Sequence, residues 1–449
     1  MRKNFFIKNI KFVLLGVFLS FSLLFSQPTK TPQWAFNKTI YEVNIRQFTK
    51  EGTFEAFETH LPRLKELGAD ILWLMPIHPI GELNRKGSLG SYYSVKDYLE
   101  INPEFGNKND FKRLVDKIHS LDMYVIIDWV ANHTAWDHDW TKSNPEFYTK
   151  DKKGSFIPPV DDWTDVIDLN YENKNLWQEM INALKYWVQE FDIDGYRCDV
   201  AGMVPIEFWI EARKQLDEIK PVFMLAEWDT PEMHKAFDMT YDWGLHKIMN
   251  RIAKGENNTA DLIKHIQSDK EKYPSHAFRM QFTDNHDENS WNGTVFERLG
   301  DAAECFAALT FIIPDMPLIY SGQEAGLNKR LSFFEKDRID WQNHKFFELY
   351  KSLNELRKTN EILFCGIEGG EITFITNNNQ QNILSLIRVK NNKKILALFN
   401  LSNTPLKVLL NDIRISDSYI DFQTKEEISF SESLELELEA WGWKIFLTK

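Results

Sequence analysis

Short apolar runs alternate along the chain with longer segments whose apolar positions recur every three or four residues. The runs at 40–45, 69–75, 123–128, 193–199, 222–227, 278–283 and 318–320 have the length and composition of buried strands. Between them, 54–67, 111–120, 176–191, 206–219, 245–253, 262–268 and 302–310 carry helical spacing, and the first of these stops at Gly68. The 69–75 run is apolar throughout except for Asp70, as a parallel strand buried on both faces requires. Repeated strand–helix units predict a parallel sheet, closed or doubly wound. Up to eight strands fit, and no glycine-rich dinucleotide loop follows the first. The expectation is therefore an α/β fold, a (β/α)8 TIM barrel over 34–363.

Two segments break the alternation. More than forty residues rich in Trp, Asp, Pro and Gly follow the third run before the next helix. A connection that long inside a compact domain usually carries function. It is expected to form a short inserted subdomain, 134–172, over the barrel mouth. From 364 the helical spacing disappears. Runs at 371–376, 382–388, 394–400, 405–410 and 434–447, split by Asn-rich turns, predict a C-terminal antiparallel β-sandwich domain over 364–449.

The N-terminus has its own pattern. Arg2, Lys3, Lys8 and Lys11 precede an uncharged apolar stretch, 12–25, and then Ser26 and polar residues. That is the order of a secretory signal peptide, 1–26. The apolar stretch is short of the roughly 20 residues a membrane span needs. The expectation is an exported protein, periplasmic or extracellular, with no stable membrane span after cleavage.

Composition narrows the partners. A net charge of −13 argues against nucleic acid, whose backbone demands a basic face. Aromatics at 14% suit the flat C–H faces of sugars, although most of these rings belong to the core. Cys198, Cys305 and Cys365 lie in apolar contexts without disulfide or metal spacing, so they are expected as buried thiols.

Three carboxylates carry the chemistry. Asp199, Glu227 and Asp287 each close a short apolar run. A charge there is costly unless it is paired or used, and the C-terminal strand ends of a barrel share one mouth. Singly, each would be a cap or an ion-pair partner. Together with Arg197, His133 and His286 they supply the two carboxylates that glycosidic cleavage needs.

The motifs Asp128-x-x-x-Asn132-His133, Gly195-Tyr196-Arg197-Cys198-Asp199, Ala226-Glu227-Trp228 and Asn285-His286-Asp287 resemble those of the α-amylase superfamily of retaining glycoside hydrolases. In order with them, 68–77 looks like the family's second strand, 93–106 like its third loop and 316–324 like its eighth strand. The resemblance implies Asp199 as nucleophile, Glu227 as acid/base and Asp287 as the group that grips sugar hydroxyls and distorts the ring. It further implies sugar contacts from Tyr93 (with neighbouring Tyr92 as competitor), His133, Arg197, His286, Asp337 and Arg338, and a structural Asp128 pairing with Arg197. Physical chemistry agrees with two of these roles. Arg197, two residues from Asp199 on the same strand face, is expected to keep that carboxyl ionised. Glu227, among apolar neighbours with no cation near in sequence, is expected to be raised by burial.

The implied activity is cleavage of α-1,4 bonds in starch-type glucans or maltooligosaccharides, with retention. An α-glucosidase, neopullulanase or transglycosylase of the same superfamily, or a non-catalytic carbohydrate-binding barrel, stay open beside it. The short subdomain predicts a cleft open to long chains. Calcium is implied less clearly. Asn132 matches the family's first calcium ligand, and Asp165, with Asp161 and Asp162, offers further oxygens. Gly202 and Met203 stand where many members have a Lys-His pair, whose His backbone helps hold the ion.

Overall fold

The computed structural model describes residues 31–411, 418–429 and 433–449. The expected signal, 1–26, lies outside the described residues. No helix among the described residues is long and apolar enough to cross a membrane.

Eight parallel strands close into a barrel: β1 Ile40–Val43, β2 Ile71–Leu74, β3 Tyr124–Trp129, β4 Gly195–Cys198, β5 Phe223–Ala226, β6 Met239–Tyr241, β7 Phe278–Gln281 and β8 Met316–Tyr320. Each pairs with its neighbour in sequence, and β8 closes on β1. β6 has no counterpart among the expected runs. Its three residues include Thr240 and sit between Asp238 and Asp242, so no apolar run marks it. Pairing with β5 and β7 makes it a strand. The 40–45 run ends as a strand at Val43, and Ile45–Phe48 turns into a short helix. The 54–67 helix is two helices, Phe54–Glu58 and Leu61–Leu67. The break precedes Pro62, which has no N–H to continue the first. The helix Lys345–Thr359 was not among the expected elements, although Phe346, Tyr350, Leu353 and Leu356 form its buried stripe.

Strand alternation divides the barrel's side chains in two. Ile40, Ile71, Trp73, Ile126, Phe223, Leu225, Met239, Tyr241, Phe278, Met280, Met316 and Leu318 belong to a core of their own. The residues between them, such as Tyr41, Leu72, Val125, Tyr196 and Met224, join the larger core with the helices. Two residues on from an inward apolar position is again inward. Trp73 follows Ile71, Asp128 follows Ile126, Glu42 follows Ile40 and Glu227 follows Leu225. The inner face is thus apolar low in the barrel and polar where the strands end.

Gly195 opens β4 at φ +153, and a Cβ there would meet the Phe223 carbonyl at 1.9 Å. Only glycine allows β4 to approach β5 this closely.

The insert after β3 pairs His133–Ala135 with Val166–Asp168 in an antiparallel ladder. From Glu371 on, the regular elements among the described residues are all strands. A six-stranded antiparallel sheet and a two-stranded one, Leu406–Asn411 with Ser433–Leu438, enclose a core of Leu396, Leu398, Val408, Leu434 and Phe446. The strands Ser418–Asp421 and Glu427–Ser429 add to the expected set, and the 434–447 run divides in two around Trp441 and Gly442. The three cysteines are buried and free.

Candidate active site

Arg197 is the hub. Its side chain is fully buried at the end of β4. Nη1 donates to Asp128 Oδ1 at 2.9 Å and to Asp199 Oδ1 at 3.1 Å, and Nε donates to Tyr241 Oη at 3.2 Å. Nη2 lies 3.0 Å from Glu227 Oε1 without hydrogen-bond alignment. One guanidinium therefore touches three carboxylates from three strands. Asp128 is buried beneath it, accepting also from Trp73 Nε1 and Tyr93 Oη, both at 3.1 Å. This is the supporting place expected for Asp128. Arg197 itself has no surface left for sugar, so its work is to hold the acids.

The electrostatics differ from the expectation. Burial and the facing Glu227 carboxylate push Asp199 well above the usual carboxylate range, against the pull of Arg197. Glu227 is not remote from cations either, because the chain returns it to Arg197 across β4 and β5. Asp199 and Glu227 thus meet across one shared cation. The aligned bond from Arg197 favours the anion on Asp199. Asp199 Oδ2 lies 3.9 Å from His133 Nε2. Burial pulls His133 down to about 3, so this imidazole is neutral at pH 7 and meets Asp199 without an ion pair.

Glu227 is placed by a strained turn. Val200, directly after Asp199, sits at φ +36, ψ +46, where a β-branched residue is an outlier. That conformation aims its N–H at Glu227 Oε2, 2.7 Å away. Strain of this kind costs about 1–3 kcal/mol and persists where a site needs it.

Asp287 stands at the rim beside His286, whose Nε2 is 3.3 Å from its Oδ2. The other ring nitrogen, Nδ1, is held by Glu42 at the inward end of β1. Burial opposes charge on His286, but the carboxylates of Asp287 and Glu42 outweigh it and push the imidazole up to about 9. His286 is therefore a cation at pH 7, donating from Nε2 to Tyr93 Oη at 2.8 Å. Glu42 was missed in the sequence. Its signal was the one that revealed the others: a carboxylate at an inward position of an apolar run.

Tyr93 lies within this network and stacks on His286 at 5.6 Å and 22°. Tyr92 turns away, its ring 4.3 Å from the Arg46 guanidinium. Asp337 is not gathered in. It pairs with Lys329 and accepts from Ser332 N at 3.1 Å, while Arg338 is exposed. Their loop instead sends Phe333 to the site, stacked on Tyr93 at 6.1 Å.

The expected metal pair comes apart. The ladder pairs His133 with Asp168 and Ala135 with Val166, so Asn132 and Asp165 sit at its opposite ends. Four steps of about 3.3 Å separate them by roughly 13 Å. One calcium ion, with oxygens at about 2.4 Å, cannot bind both. Asp165 pairs instead with Lys86 Nζ at 3.1 Å, and the same ammonium donates to Asp162 O at 2.7 Å. The metal-like cluster Asp242, His265 and Asp269 is taken too, because Arg279 lies 3.1 Å from Asp269 and 3.6 Å from Asp242.

The departure at 202 and 203 has a physical reason. A Cβ on Gly202 would fall 2.0 Å from the indole of Trp228, which lies flat where a side chain would be. Met203 beside it is exposed.

A closed parallel barrel whose polar upper end gathers paired carboxylates defines a TIM-barrel glycosidase. The chain belongs to the α-amylase family: the model of the α-amylase catalytic domain matches 29–164 and 160–341. It is 28% identical over 426 residues to α-amylase 2 of Dictyoglomus thermophilum, covering 84% of this chain and 73% of that one. Among solved structures it resembles a noncanonic maltogenic α-amylase, AmyB, of Thermotoga neapolitana, at 32% identity and TM-score 0.85 over 92% of this chain and 98% of that one. It also resembles an α-amylase of Lactobacillus plantarum, at 31% identity and TM-score 0.83 over 92% and 99%.

Proposed function

We propose that this chain is an exported hydrolase of α-1,4-glucosidic bonds in starch-type glucans or maltooligosaccharides, acting with retention. The observation that carries the reading is Arg197, which draws Asp199 and Glu227 to one point while Asp287 stands at the rim beside buried, charged His286. Asp199 Oδ2 attacks the anomeric carbon as the bond to the leaving oxygen breaks, and Glu227 gives that oxygen its proton. Water then adds to the same carbon, Glu227 takes its proton, and the ester to Asp199 is released. Asp287 and His286 hold ring hydroxyls as positive charge builds. Export rests on the residue pattern of 1–26.

Trp228 over Gly202, with Met203 exposed beside it, makes the surface next to Glu227 apolar. An apolar ledge on the leaving-group side favours a second sugar over water as acceptor. Transglycosylation is therefore the second reading.

A product time course on maltoheptaose separates the two, since transfer gives oligomers longer than the substrate. Asp199→Asn should lower kcat by at least about 10³-fold, and NMR early in turnover should show the α-anomer first. Full activity in Asp199→Asn, or initial release of the β-anomer, would refute the assignment.

A further inference from the structure

Trp291 is the only aromatic among the large exposed apolar side chains of the described residues, at 53% exposure. It lies four residues beyond Asp287 in a single π-helical turn, Glu288–Asn292. Such turns concentrate at functional sites. This one is pinned. Asn289, fully buried, donates to Lys329 O at 3.2 Å and accepts from Leu331 N at 2.9 Å, and Ser290 Oγ donates to Leu331 O at 2.9 Å. The opposing loop is braced as well, with Leu89 N donating to Phe334 O at 3.2 Å.

The two loops bring their rings together. Trp291 packs on Phe333 at 5.2 Å and on Phe334 at 5.9 Å. Phe333 in turn stacks on Tyr93 at 6.1 Å and 16°. A continuous series of faces therefore rises from buried Tyr93, through half-buried Phe333, to exposed Trp291. It starts at Tyr93, which touches Asp128 and His286, and ends on the turn that directly follows Asp287. A lone exposed Trp has no bearing on function, but this one continues a reacting site on a rigid support.

We propose that Trp291, with Phe333 beneath it, is the stacking platform for glucose units beyond the one held at Asp287, and so sets the preference for longer chains. This rests on the glycosidase reading. The pyranose C–H face matches an indole, and the rigid support means no ordering cost on binding.

The test compares maltoheptaose with p-nitrophenyl α-maltoside as substrates of the full chain. Trp291→Ala should lower the ratio of the two kcat/KM values, heptaose over maltoside, by roughly five- to tenfold, mostly through KM. Trp291→Tyr should restore most of it. Calorimetry on Asp199→Asn should show the same loss of heptaose affinity when Trp291→Ala is added. An unchanged ratio with unchanged affinity overturns the platform while the glycosidase reading stands. If the wild-type chain neither cleaves nor binds either substrate, that reading fails and the platform fails with it. Trp291 is half exposed, so its removal leaves the core intact.

Discussion

At the scale of the residue, the charge on His286 is the most consequential finding. Its pKa in the fold, about 9, is above the ordinary 6.5 because Asp287 and Glu42 overcome its burial. A group raised on folding adds stability in full below its unfolded pKa and loses it as pH rises through the folded one. The contribution is therefore complete below about 6.5 and gone above about 9, and is worth up to about 3 kcal/mol. Glu42, itself pushed up by burial, offsets part of it. Urea unfolding of wild type and His286→Gln should show a gap at pH 6 that closes by pH 9.5. A gap constant with pH would mean His286 is neutral. Sequence reasoning located the three acids because a carboxylate ending an apolar run is visible in one dimension. It expected Arg197 to keep Asp199 ionised and did not foresee the opposing push of burial and of Glu227, which faces Asp199 only after β4 and β5 pair.

At the scale of the element, the turn after β4 and the segment after β5 are one unit. Trp228 follows Glu227 directly, and its indole occupies the place of a side chain at 202. A single methyl is enough to displace it. Gly202→Ala and Gly202→Lys should both lower kcat on maltoheptaose by roughly 10- to 100-fold, the range for a small misplacement of a reacting group. A Lys variant far worse than the Ala variant would point to charge, not to the indole, as the controlling factor. The elements themselves were mostly legible. Long periodic helices and apolar strands announced themselves, while β6 did not, because three residues with a central Thr carry no period. The insert's ladder was equally hidden, and with it the distance between Asn132 and Asp165.

At the scale of the whole molecule, barrel and C-terminal sheet share a continuous core that includes Leu384, Leu386, Ile395 and Phe399. Arg388 locks the joint. It is buried in the strand Ile383–Lys390 and donates to Ile312 O at 3.0 Å and Ile313 O at 3.4 Å, at the end of the helix Ala303–Ile312, and to Gly370 O. Burial and nearby Arg357 pull it down to about 10, so it remains charged at neutral pH against the negative end of that helix. Arg388→Met would leave these carbonyls without their donor and should cost about 3 kcal/mol. Denaturant unfolding followed by far-UV and near-UV signals should still give one coincident transition. Two separated transitions would show that the sheet folds apart from the barrel. The change of pattern near 364 marked this domain in the sequence, but nothing in one dimension showed how firmly it docks.

Lys86 has a consequence on the same scale. An ammonium that bridges Asp162 and Asp165 does for the insert what a bound ion does elsewhere, yet it is covalently part of the chain. Its effective concentration is fixed by a four-carbon stem and cannot be diluted. The loop after β2 is thus tied to the insert by an intramolecular attachment.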